Sequence, residues 1–311
     1  MDSIFTLSIV QSALELGCIY SLVALALFVS FSILNIADLS TDGCFTLGCA
    51  VCAMVTIAGH PIMALFAAML AGVCSGFVTA FLQTKMGIES ILAGIIVNTG
   101  LYTVNIAVMG FASNVNLFNC NTIFSMAKDY IGGSWYKLIV AVLIVIIIGV
   151  LLASFLNTRL GLSIRATGDN ADMVKASSIN PNFTITVGLC VANAMTALSG
   201  GVLAQYQKSC DINLGTGMVT IALASLIIGE SIIGKGSVVR RVIGVILGSC
   251  LYRFIVAVAL RLNVPAECLK LVSAIIVAVA IALPYLKKKA AFMKQKASAV
   301  SQNKNRNRGN Q

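Results

Sequence analysis

Long apolar runs dominate this 311-residue chain and restrict how it can fold. A helix needs about 20 mainly apolar residues to cross the hydrocarbon core of a bilayer. Hydrophobic residues make up 59% of the chain and charged residues 10%, against roughly 25% charged residues in a soluble domain. The sequence therefore predicts an all-α, polytopic transmembrane helical bundle of about nine spans (eight to ten). The candidates lie near residues 8–30, 43–58, 61–82, 90–110, 136–156, 183–206, 217–233, 242–260 and 268–286.

The second and seventh candidate spans are short, and each follows a polar stretch that contains glycine, 38–43 or 213–217. Irregular backbone at membrane depth survives only where protein or a water-filled cavity satisfies it. We therefore expect broken or re-entrant helices at both places. The two stretches resemble each other, and paired interruptions of this kind point to internal repeats in transporters. Two small-residue seams, Gly72-x-x-x-Gly76 and Gly244-x-x-x-Gly248, are typical of close helix packing.

The distribution of lysine and arginine predicts the orientation, because basic residues collect in cytoplasmic loops. With nine alternating spans, Lys85, the basic residues of 157–182, those of 235–241 and the C-terminal tail share one face. This places the N-terminus outside and the C-terminus in the cytoplasm. The first residues lack the basic stretch and cleavage pattern of a removable signal peptide. We predict a transmembrane domain over 1–286 and a cytoplasmic tail over 287–311.

The tail carries eight of the 21 basic residues and no acidic residue. Such a polar segment cannot bury enough apolar surface to offset the entropy of ordering, so we expect it to be disordered. A basic tail can bind nucleic acid, but one that follows a membrane domain is explained more simply by attraction to anionic membrane lipid. We expect lipid as its partner and no nucleic acid.

The inner loop, 157–182, is too polar to insert into the bilayer. Asp169 or Asn170 can cap a helix there, and Pro181 would end that helix because it disfavours helical backbone in the residue before it. We predict one short helix of roughly two turns. It would bind a groove of another protein or lie on the lipid surface. Its apolar face comprises Met173, Val174, Ala176 and Ile179.

The same loop carries a recognisable motif. Residues 159–170 resemble the R-x-G-x-x-x-R-A-x-G-x-N signature of ATP-binding-cassette permeases of the branched-chain amino acid and ribose type. Segments 16–22, 37–40, 199–201 and 227–230 resemble further motifs of that family. The resemblance implies a bacterial cell membrane protein with a type II importer permease fold, in which the loop, as a coupling helix, contacts the ATPase subunit. It assigns coupling to Arg165, Ala166, Gly168, Asp169, Asn170, Met173 and Ala176, with Asp169 replacing the usual glutamate.

No motif for catalysis or for a cofactor is evident in the sequence. Residues 229–236 match G-x-x-x-x-G-K, but Gly236 stands where a serine or threonine must bind magnesium. His60 is the only histidine, and the Cys49-x-x-Cys52 pair has no second pair to complete a metal site. We expect a non-catalytic subunit with no cofactor or metal, and ATP hydrolysis in a separate polypeptide.

Charged side chains inside a membrane usually face a cavity or a partner. Glu15 could line a translocation path, while Glu230 and Arg253 are expected to pair across spans seven and eight. Uncharged polar residues can line a path or hydrogen-bond between helices. The candidate path residues are Glu15, Asp38, Ser40, Asn98, Asn105, Asn193, Thr196 and Ser199.

These features together favour an importer permease that works by alternating access. Its expected partners are cytoplasmic ATPase subunits, an extracytoplasmic solute-binding protein and a second copy of the chain or a related permease. The outer segment 111–135 is either a docking surface for the binding protein or a solvated linker. A polar path suits a small solute, and we favour an amino acid over a sugar or nucleoside. The alternative is an ATP-independent secondary transporter or channel, and a membrane-embedded enzyme is a third class.

Overall fold

The computed structural model describes residues 7–133, 135–234 and 236–261, with single positions between 271 and 293. The fold is helical, as predicted, and adds one short two-stranded ribbon. In chain order the elements are α1 (Leu7–Leu27), a π-helical turn (Phe28–Ile33), α2 (Thr41–Ile57), α3 (Pro61–Thr84), α4 (Ser90–Val108), β1 (Asn114–Asn116), α5 (Ile123–Ile131), α6 (Tyr136–Leu156), α7 (Arg159–Asp169), α8 (Ala171–Ala176), α9 (Pro181–Gln207), β2 (Ser209–Asp211), α10 (Met218–Ile233) and α11 (Val238–Arg261).

Six helical segments of the described chain are long and apolar enough to cross a bilayer. They are Ile9–Ile33, Pro61–Thr84, Ser90–Val108, Tyr136–Leu156, Pro181–Gln207 and Val238–Leu260. The helices α2 and α10 are shorter and also apolar, as expected of the two interrupted spans. The predicted span 268–286 and tail 287–311 lie outside the described residues apart from single positions. The count of about nine spans therefore stays a prediction.

Helix α9 runs through the centre of the bundle. Of the residues in its membrane-length window, 83% are buried, and it packs against α1, α2 and α3. A Cβ atom at Gly76 would lie 2.6 Å from the Leu189 carbonyl oxygen, and one at Gly72 would overlap the Asn193 carbonyl. The seam at Gly248 lies against α10 in the same way. The predicted packing role of both seams is confirmed.

The bundle has two distinct ends. We call the end that carries α7 and α8 the α7 end, and the end that carries β1 and β2 the ribbon end. The two strands pair antiparallel, with Val115 opposite Cys210. The backbone N–H of Ile123, at the start of α5, donates to the Gln205 side chain at 2.9 Å. Segment 111–135 is thus anchored to α9 by a strand and a helix.

The two short helices, α2 and α10, begin side by side. The Asp42 carboxylate in the first turn of α2 accepts the backbone N–H groups of Gly217 and Val219, each at 2.9 Å. The Thr46 hydroxyl accepts the N–H of Gly215 at 3.1 Å. A carboxylate at a helix N-terminus bonds free amides and complements the positive end of the dipole. Asp42 therefore joins the starts of both helices within the bundle.

Candidate functional site: the α7 end and the polar centre

The loop between α6 and α9 contains two helices where one was predicted. The Thr158 side chain caps α7, and Asn170 caps α8 by accepting two backbone N–H groups at 3.1 and 3.0 Å. Pro181 begins α9 and does not end the preceding helix. Its fixed φ suits the first turn of a helix, where its missing N–H is not needed. The predicted short helix capped by Asn170 is confirmed as α8, but the predictions that it is the only helix of the loop and that Pro181 ends it are wrong.

Except for Gly168, the residues assigned to coupling lie on the outer surface of this helix pair. Met173 is 69% exposed, whereas the neighbouring Val174 is buried and anchors α8. The buried Thr167 hydroxyl lies 2.7 Å from that of Thr184 and joins α7 to α9. Of the predicted apolar face, Met173, Ala176 and Ile179 stay exposed. The partly or fully exposed coupling candidates are Arg165, Ala166, Gly168, Asp169, Asn170, Met173 and Ala176.

Gly168 brings α7 into contact with the first span. A Cβ atom there would overlap the carbonyl oxygen of Ile33 and lie 2.9 Å from the Leu34 Cα atom. Ile33 ends the π-helical turn that continues α1, and such turns occur frequently at functional sites. A movement of α7 would therefore reach the first span through direct backbone contact.

A charged cluster also contacts this π-helical turn. Glu230 of α10 forms an ion pair with Arg241 of α11 at 2.7 Å, and the Ser32 hydroxyl donates to Glu230 at 2.7 Å. The predicted pairing of Glu230 with Arg253 is wrong. Arg241 takes the place of Arg253 at the carboxylate, and Arg253 instead lies over the Tyr20 ring, 3.5 Å from its centroid.

We expect Glu230→Gln to lower the melting temperature of the detergent-solubilised protein by about 5 °C. Removing one partner of a buried ion pair costs about 3–5 kcal/mol of stability, whereas removing one partner of an exposed pair costs at most about 1 kcal/mol. These side chains, 17% and 18% exposed, lie between the two cases. The control is Glu89→Gln at an exposed position. Equal melting of the two variants would show that the pair adds no stability.

Three of the predicted path residues form a buried network near the start of α2. Asp38, 2% exposed, accepts the Ser40 backbone N–H at 2.8 Å, the Ser40 hydroxyl at 2.6 Å and the Asn193 amide at 2.8 Å. Thr79 of α3 donates to the Ser40 hydroxyl at 3.3 Å. The network ties the irregular segment before α2 to α3 and α9.

Two further path candidates, Asn98 and Asn105, line a cavity of about 430 Å³. Asp42 also lines it, so the cavity lies where the two short helices begin. The Asn105 amide donates to the Gly43 carbonyl at 3.0 Å. The seven-residue spacing on α4 thus places both asparagines at one cavity.

The other path candidates make hydrogen bonds elsewhere in the bundle. Glu15, 3% exposed, accepts from Gln11 at 2.8 Å and from the Tyr206 hydroxyl at 2.7 Å. Ser199 donates to the Ile19 carbonyl at 2.7 Å, which links α9 to α1, and Thr196 donates within α9. None of these three lines the cavity.

Asp42 and Arg241 are site residues that were not predicted from the sequence. Asp42 stands in the polar stretch 38–43, and an acidic residue at the start of an apolar helix was an available signal. Arg241 was counted only as a basic loop residue. Within the described ranges, no three histidine, cysteine or acidic side chains are placed to hold a metal ion. Cys49 of the C-x-x-C pair donates to the Gly200 carbonyl at 3.0 Å.

Comparison with known proteins identifies the family. A family model described as "Branched-chain amino acid transport system / permease component" matches residues 9–282. The "Tyrosine transport system permease protein" of Clostridioides difficile (strain R20291) is 33% identical over 267 residues, 86% of this chain and 88% of the relative. An uncharacterized protein of Rickettsia prowazekii (strain Madrid E) is 30% identical over 274 residues, 87% of this chain and 95% of that protein. No solved structure matches significantly.

The family match covers most of the chain and agrees with its several membrane-length helices, so the protein crosses the membrane more than once. The resemblance inferred from the motifs is confirmed. The chain belongs to the family of permease components of branched-chain amino acid transport systems.

Proposed function

We propose that the chain is the permease subunit of an ATP-driven importer that receives its solute from a binding protein. Two copies, or one copy and a related permease, would enclose the translocation path. Two cytoplasmic ATPase subunits would move the α7–α8 pair and so open the path in alternation to each side. The chain itself would catalyse no reaction, since hydrolysis occurs in the partner.

The contact between Gly168 and Ile33 carries this proposal. The α7–α8 pair is exposed on its outer side and touches the backbone of the first span on its inner side. A short exposed helix pair suits a groove in another protein. Force applied by such a partner would reach the π-helical turn and then the segment that holds Asp38.

A cytoplasmic ATPase partner requires the α7 end to face the cytoplasm, and the basic residues agree with this orientation. Arg159, Arg165 and Lys175 lie at the α7 end, and short cytoplasmic loops collect basic residues. The α7 end would therefore face the cytoplasm, together with the C-terminal tail. The ribbon end, with the anchored segment 111–135, would face outward and receive the binding protein, and the N-terminus would also lie outside.

An amino acid is the solute that we favour. The relative from Clostridioides difficile is named for tyrosine transport, and the cavity beside Asp42 is lined mainly by polar residues. Sugars and nucleosides are the alternatives within this transporter class. The binding protein would determine most of the solute specificity, and the translocation path would contribute the rest.

Co-purification and reconstitution test the proposal. We expect the tagged chain, isolated in mild detergent, to retain an ATP-hydrolysing subunit. Proteoliposomes containing the complex and its binding protein should take up label from a mixture of ¹⁴C-amino acids only when ATP is supplied. Uptake that needs neither ATP nor a partner would contradict the importer proposal and favour a secondary transporter.

A further inference from the structure

The cavity beside Asp42 has the size and lining of a small-molecule site. Its volume of about 430 Å³ falls within the range of about 300–1,000 Å³ that is usual for ligand pockets. Ile212 is the only large aliphatic side chain among its lining residues. The α4 side chains at its edge, Thr99, Tyr102 and Thr103, are exposed. The lining is therefore suited to a polar solute within a membrane domain.

Asp42 gives this cavity its charge. It is the only acidic side chain among the lining residues, which include no lysine, arginine or histidine. Its two oxygens accept one backbone N–H each, from Gly217 and Val219, and each oxygen keeps further acceptor capacity. The N-termini of α2 and α10 oppose it with partial positive charges of about 0.5 each, confined to their first turns. The N–H groups at the start of α10 already bond the carboxylate, and its remaining acceptor sites can attract a cation from the cavity.

An unpartnered acceptor points independently to a missing donor. Asn105 is 1% exposed, and its Oδ1 atom has no hydrogen-bond partner among the described residues. Leaving a buried polar atom unpaired costs about 1–3 kcal/mol, so such an atom needs an explanation. A Cβ atom at Gly43 would lie 2.6 Å from Oδ1 of Asn98. Amide oxygens of Asn98 and Asn105 and the Asp42 carboxylate thus line one cavity, and the Asn105 oxygen lacks an N–H donor.

We propose that this cavity recognises the protonated amine of the transported solute. Asp42 supplies the opposite charge, and the amide oxygens of Asn98 and Asn105 accept the N–H groups. The inference rests on the proposed function and narrows its solute class, because it selects amino acids and other primary amines over neutral sugars and nucleosides. A solute with a carboxylate and no amine would be repelled by Asp42.

Thiol labelling measures the charge preference of the cavity without ATP, partner or known solute. A cysteine at Thr103 lines the cavity, and a control cysteine at His60 lies exposed on a loop. Each variant is treated with a cationic methanethiosulfonate reagent (trimethylammonium-ethyl) and, separately, with an anionic one (sulfonatoethyl). The reaction rate of the native cysteines, measured on the unsubstituted chain, is subtracted. A charged cleft raises the local concentration of oppositely charged ions by 10-fold or more. We expect the cation-to-anion rate ratio to be about tenfold higher for Thr103→Cys than for His60→Cys.

Adding Asp42→Asn to Thr103→Cys should bring the rate ratio within about twofold of the control. Equal ratios in the otherwise native chain, or a preference for the anion, would overturn the proposal and show that the helix N-termini dominate. The comparison of Thr103→Cys with His60→Cys remains valid even if Asp42→Asn fails to fold, because it needs only the two single-cysteine variants. ATP-independent uptake would refute the proposed function without altering the labelling ratio, so the two failures are distinguishable.

A second pair of variants tests the amide oxygen in the reconstituted complex. Asn105→Leu keeps Asp42, and so keeps the labelling ratio, but removes the acceptor. We expect it to reduce uptake from the ¹⁴C-amino acid mixture about tenfold, whereas Asn105→Gln, which retains both an amide acceptor and an amide donor for the Gly43 carbonyl, should keep at least half. Normal uptake by Asn105→Leu, at an unchanged elution volume in size exclusion, would remove Asn105 from the site.

Discussion

Replacing Gly168 with alanine should reduce ATP-driven uptake about tenfold. The added methyl group would overlap the Ile33 carbonyl, and neither backbone can yield without separating α7 from the π-helical turn. Overpacking of this kind typically costs 1–3 kcal/mol, and about 1.4 kcal/mol corresponds to a factor of ten. ATP hydrolysis by the bound ATPase should continue, so the variant should separate hydrolysis from transport. Parallel assays of phosphate release and uptake in proteoliposomes measure both rates.

Gly100→Ala is the matched control, because it adds the same methyl group to a helical glycine with no neighbouring atom within 4 Å. Alanine also favours the helix by about 1 kcal/mol there, so we expect normal folding. If Gly168→Ala transported at the wild-type rate, the Gly168–Ile33 contact would not carry the coupling. A loss of both hydrolysis and expression would instead show that Gly168 serves only the fold.

Replacing Asp38 with alanine should remove most of the folded protein from the membrane. The carboxylate accepts three hydrogen bonds in a buried site, and hydrogen bonds to charged groups contribute about 1.5–3 kcal/mol each. The bonds are coupled, so their sum is an upper bound, and a loss of about 4 kcal/mol is expected. Asp38→Asn, which keeps the acceptor oxygen for Ser40, should retain part of the stability.

Fluorescence-detected size exclusion after heating measures this order of stability. The wild type should be most stable, followed by Asp38→Asn and then Asp38→Ala. Asp129→Ala, at an exposed position in α5, should resemble the wild type. Equal melting of Asp38→Ala and Asp129→Ala would show that the buried network contributes nothing to the fold.

Much of the architecture could be predicted from local composition. Apolar runs of membrane length locate α1, α3, α4, α6, α9 and α11, because bilayer thickness fixes the length of a spanning helix. The polar, glycine-containing stretches before the second and seventh spans correctly marked short helices. The spacing of Asn98 and Asn105 also put both side chains on one face of α4.

Features that depend on three-dimensional proximity could not be predicted in this way. Glu230 bonds Arg241 across a turn, while the predicted partner Arg253 stacks on Tyr20; which arginine lies closer depends on how α10 and α11 pack. Pro181 can end one helix or start the next, and local sequence does not decide between them. The junction between α2 and α10 depends on a hydrogen bond between Asp42 and Gly217, which are 175 positions apart in the sequence.

Sidedness labelling at Met173 tests the central claim most directly. Met173→Cys should react with a membrane-impermeant maleimide in inside-out vesicles but not in right-side-out vesicles, and His60→Cys should show the opposite pattern. Under this proposal the ATPase subunit covers the α7–α8 surface, so adding that subunit should protect Met173→Cys from the reagent. Labelling of Met173→Cys from the outside would contradict the proposal that α7 and α8 form the cytoplasmic contact for an ATPase.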